Sequence, residues 1–86
     1  GGSVERAKTL LQRLRKAAGA TRADELYATQ RLIDLYLGPL RDPDRAMSEL
    51  RRIIQQFPGT RDAEGAQTAL ATLREQAGRE VPVAPD

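Results

Sequence analysis

Apolar residues return at steps of three and four along most of this chain, and nowhere do they alternate over the length of a strand. Val4, Ala7, Leu11, Leu14 and Ala18 form one stripe, with Ser3 placed to cap it and Gly19 to stop it, which predicts a helix from about Val4 to Ala18. A second helix is expected over Arg22 to Leu37, where Thr21 can cap and Asp24 follows three residues later as in a shortened capping box. Leu26, Leu32, Ile33, Leu35, Tyr36 and Leu37 crowd its latter part, so it should be the most buried element, and Gly38-Pro39 should end it. The third has the clearest start, with Asp42 as N-cap, Pro43 at the first helical position and Asp44 complementing the helix dipole. It runs to about Phe57 with Ala46, Met47, Leu50, Ile53, Ile54 and Phe57 inward.

The fourth helix is expected from Thr60 to about Ala77, with Ala63, Ala66, Leu70, Leu73 and Ala77 inward and Gly78 as its stop. Ala63, Gly65 and Ala66 would let another helix come close, at a cost of about 1 kcal/mol in helix propensity for the glycine. Three regions result: Gly1-Gly2-Ser3, which looks like a cloning remnant, one helical domain over 4–78, and a flexible C-terminal tail over 79–86 containing Pro82 and Pro85. The expected fold is all-α, with about four antiparallel helices stacked as helix-turn-helix repeats.

Stacking is suggested by self-similarity. Ala7, Leu11, Leu14 and Gly19 keep the spacing of Ala46, Leu50, Ile53 and Pro58, at an offset of 39 residues. Ala28, Leu32 and Leu35 are answered by Ala66, Leu70 and Leu73 at an offset of 38. A small alanine would let paired helices approach, while the bulkier residues fill the space between pairs.

These residues resemble the tetratricopeptide repeat family, whose 34-residue unit reads W-x2-L-G-x2-Y, A-x3-F and then P. Leu32, Ile33 and Tyr36 stand at the L, G and Y positions, Ala46 and Leu50 at A-x3-F, and Pro58 closes the unit, while Thr29 stands in place of the tryptophan. Ile33 at a small-residue position and the long turn Gly38 to Pro43 depart from the pattern. The resemblance implies a half-repeat, one full repeat and a closing helix; a plain four-helix bundle is the other arrangement the pattern allows. Phe57-Pro-Gly-Thr60 followed by an alanine-rich helix also looks like repeats of bacterial envelope and scaffold proteins. In the family, the first helix of each hairpin lines a groove that holds a partner's peptide or helix. Carried onto the second helix, this implies a groove face of Tyr27, Gln30, Arg31 and Asp34, at helical steps off the apolar stripe.

Composition narrows the chemistry. At 86 residues the domain buries only about 60% of its unfolded surface, and without cysteine or histidine it must rest on packing, with no disulfide and none of the usual zinc sites. No metal or other cofactor is expected. Carboxylates are the remaining candidates for catalysis, and Asp42, Asp44, Asp24 and Glu25 all sit at helix starts, where capping explains them. No glycine-rich phosphate loop is present, so the chain is expected not to be an enzyme. Net charge is +2, but residues 1–22 hold six bases against Glu5 alone, or +5, leaving −3 on the rest. Arg6, Arg13, Lys16 and Arg22 form a candidate basic patch. Nucleic acid is a weaker expectation for it than an acidic protein, because Tyr27, Tyr36 and Phe57 give no stacking platform. Self-association through open repeat ends is a further alternative, and no segment has the roughly 18 apolar residues needed to cross a membrane.

Overall fold

The computed structural model describes residues 2–80, and the chain is all-α: α1 (Gly2–Lys16), α2 (Arg22–Leu37), α3 (Pro43–Gln56) and α4 (Arg61–Glu80). Three of the four starts form as their residues dictate. The Thr21 hydroxyl accepts from the Asp24 amide at 3.0 Å while the Asp24 carboxylate accepts from the Thr21 amide at 3.0 Å, closing the capping box. Asp42 accepts from the Arg45 amide at 3.1 Å ahead of Pro43. Thr60 accepts from the Ala63 amide at 3.1 Å and donates to the Phe57 carbonyl at 2.6 Å, tying the start of α4 to the end of α3.

The other boundaries correct the expectation. Helix α1 begins at Gly2, so Ser3 lies within it, and it ends at Lys16, leaving Ala18 outside. Gly19 closes the turn in the left-handed region (φ 97°). Gly78 does not stop α4, which continues to Glu80; Arg79 and Glu80 of the expected tail are therefore helical, and 81–86 lie outside the described residues. The turn after α2 is held by the Leu40 amide donating to the Leu35 carbonyl (3.0 Å) and the Asp42 amide to the Tyr36 carbonyl (2.7 Å). Gly38 is required there, because a Cβ would stand 2.9 Å from the Asp34 carbonyl oxygen.

Helix α1 packs on α2, α2 on α3, and α3 on α4; among the described residues no other helix pair brings its backbones together. The first and last helices of a closed four-helix bundle would pack on each other. Here the array is open, measures 56 × 37 × 14 Å, and has a radius of gyration of 14.7 Å, against about 12 Å for a compact domain of this length. Its core is Leu32, Ile33 and Tyr36 of α2, Ala46, Leu50 and Ile53 of α3 with Phe57, and Ala66 and Leu70 of α4. As the width of its apolar surface predicts, α2 is the most buried helix, adding Ala28 and Thr29, whereas α1 buries no residue fully.

Candidate functional site

The four residues of the predicted groove face lie along the outer side of α2, but they serve two hollows. Gln30, Arg31 and Asp34 line a cleft of about 410 Å³ toward α4, floored by the buried Ile33, Leu50, Ile53 and Ala66 and closed opposite by Arg61, Asp62 and Gly65. Gln30 spans it, donating from Nε2 to Asp62 Oδ1 at 3.1 Å. Tyr27 is turned the other way. It lines a second, more apolar slot toward α1 with Ala7, Leu10, Leu11 and Leu35, and Arg31 and Asp34 border this slot too.

Arg31 and Asp34 thus stand on the ridge between the two hollows, paired at 2.8 Å. The Arg31 guanidinium also lies 5.9 Å from the centre of the Tyr27 ring. Charges this exposed gain little from pairing, so the contact orients both groups while leaving them open to exchange for a partner's. Gly65 corrects one expectation: a Cβ there would meet nothing within 4 Å, so its smallness widens the wall of the cleft and serves no close helix approach.

The candidate basic patch divides as well. Arg6, Arg13 and Lys16 are exposed on α1, and Arg13 and Lys16 share a shallow hollow with Thr9, Gln12 and Ala17. Arg22 is committed to the end of α3: its Nη2 donates to the Gln56 carbonyl at 2.7 Å, and its guanidinium stacks 4.6 Å from the Phe57 ring centre. Lys8 is paired with Glu5 at 2.9 Å, and that hydrogen bond and charge hold the Glu5 carboxyl below its ordinary range.

Sequence reasoning missed the largest polar feature of the interior. Arg15 of α1 reaches across α2 to Glu49 of α3 at 2.6 Å, with side chains only 10% and 13% exposed, and its Nη1 also lies 3.4 Å from the hydroxyl of the buried Thr29. Among the described residues, Arg15 Nε has no hydrogen-bond partner. The available signal was Thr29 itself, a polar residue beside Ala28 and Leu32 on the most apolar helix. The slot residue Leu10 was also missed, because it stands off the α1 stripe; a leucine there, with Arg6 four residues before it and Arg13 three after, was the signal.

Comparison of the chain with family models, with curated proteins and with solved structures found no significant match.

Proposed function

We infer that this chain is a non-catalytic protein-interaction module, built from tetratricopeptide-like helical hairpins, that takes up a peptide or helix of another protein along the outer side of α2. One observation carries the reading. The helix that contributes most to the core also keeps a polar and aromatic ridge open, with Tyr27, Arg31 and Asp34 all exposed and hollows on both sides. A rigid element with one face buried and a mixed-charge face open can hold a partner at little ordering cost.

Three carboxylates near helix starts are engaged within the fold, which favours a structural over a catalytic role for them. Asp24 and Asp42 cap helices, and Asp62 accepts from Gln30. Nucleic-acid binding through the basic patch is weakened as a reading by the engagement of Arg22 with the Gln56 carbonyl and the Phe57 ring, which leaves the patch to α1 alone.

The test is affinity capture from the source lysate, with the wild-type chain as bait beside a bait carrying Arg31→Glu and Asp34→Arg. Capture of one protein by the wild type and its loss with the variant, at unchanged circular dichroism, is the expected result. Capture of nucleic acid, or equal capture by both baits, would overturn the reading.

A further inference from the structure

We propose that the cleft between α2 and α4 holds an extended segment of another protein in which an apolar residue stands beside an acidic one. The proposal rests on the protein-interaction reading and names the chemistry of what is bound. Helices α2 and α4 form the walls and α3 lies beneath, so three helices that pack on one another within this chain build the whole cleft.

Width decides what can enter. Gln30 of α2 and Asp62 of α4 meet across the cleft at 3.1 Å, so two side chains are enough to span it. A helix, about 10 Å across with its side chains, cannot reach the floor between such walls, whereas one side chain of an extended segment can enter beside the bridge. Gly65 makes the room: it costs α4 about 1 kcal/mol of helix propensity, and a Cβ there would meet nothing within 4 Å, so what its missing side chain leaves is space in the wall. Beneath lie Ile33, Leu50, Ile53 and Ala66, an apolar floor that favours an apolar side chain. The bridge also selects the backbone. Apart from its bond to Asp62, the Gln30 amide makes no hydrogen bond among the described residues, which leaves one Nε2 hydrogen and Oε1 free. Together they match the C=O and N–H of one peptide unit, groups that an extended segment can offer and a helix uses internally.

Charge selects the neighbouring residue. Four charged side chains border the cleft, and three are engaged: Arg31 with Asp34 at 2.8 Å, and Asp62 with Gln30. Arg61 is exposed and, among the described residues, has no carboxylate within ion-pair distance. It opens α4, where the helix dipole also favours an anion. A carboxylate beside the inserted residue meets this guanidinium at the rim, whereas a lysine there meets like charge.

The probe is a phage-displayed library of random heptapeptides, selected on the full chain and in parallel on chains carrying Gly65→Leu or Arg61→Glu. Neither substitution should lower the melting temperature, because leucine suits a helix interior better than glycine and glutamate suits a helix start. Peptides that place an apolar residue beside an acidic one should be enriched on the wild type. The strongest of them, synthesised and titrated by fluorescence anisotropy, should lose at least about tenfold in affinity when its acidic residue becomes lysine, and as much on either variant chain. No enrichment, enriched peptides without an acidic residue, or an affinity indifferent to Gly65→Leu or to Arg61→Glu would overturn the proposal. So would a peptide that turns helical on binding, or a dimer, seen by sedimentation, that Gly65→Leu dissociates. If the cleft fails while lysate capture still depends on Arg31 and Asp34, the interaction-module reading survives without it.

Discussion

Arg15 and Glu49 show how much a single buried pair is asked to do in an array this open. They link α1 to α3 across the top of α2, where no backbone contact joins those helices. Removing one partner leaves the other desolvated and unpaired, whereas replacing both with apolar residues of similar size removes the penalty. Glu49→Ala should therefore destabilise by about 3 kcal/mol, and the double change Arg15→Met with Glu49→Leu should recover most of it. Urea unfolding midpoints decide this; a midpoint unmoved by Glu49→Ala would mean that the pair is solvated. Leu50→Ala tests the packed side of the same helix and should cost about 2 to 5 kcal/mol, because Leu50 is buried between α2 and α4. Much at this scale was legible in the sequence: Ala46, Leu50, Ile53, Tyr36 and Phe57 all sit inside, as their spacing requires. The Arg15 to Glu49 pair was not, because two charges 34 residues apart leave no periodic trace.

Helix starts were legible and helix ends less so. A start needs a side-chain oxygen at one position, and Thr21, Asp42 and Thr60 supply it. A glycine marks an end either by standing where a side chain would clash, as Gly38 does at φ −96°, or by taking the left-handed conformation. Gly19 (φ 97°) and Gly59 (φ 76°) take it, whereas Gly78 stays within α4. Thr21→Ala should lower stability by about 1 kcal/mol through loss of the capping box. Gly65→Ala should raise it by about 1 kcal/mol, since the helix gains propensity and the new methyl meets no neighbour. Thermal melts of the two variants should move in opposite directions, and a lowered melting temperature for Gly65→Ala would show that the cleft wall has no room for a methyl group.

At the scale of the whole molecule, the residues expected to form one groove face became a ridge between two hollows. Helical spacing puts Tyr27, Gln30, Arg31 and Asp34 on one side of α2, but it cannot say where α1 and α4 stand, and those helices divide the face. A closed bundle would cover one hollow or the other, and in this open array both remain accessible. On the proposed function, a partner lies on α2's outer side. The most direct measurement places a photo-crosslinking amino acid at Tyr27 and, separately, at the exposed Arg52 of α3, and irradiates each chain in source lysate. Crosslinking of a distinct protein from position 27 and not from position 52 is the predicted result. Equal crosslinking from both positions, or crosslinking from 27 only to a second copy of the chain, would contradict it.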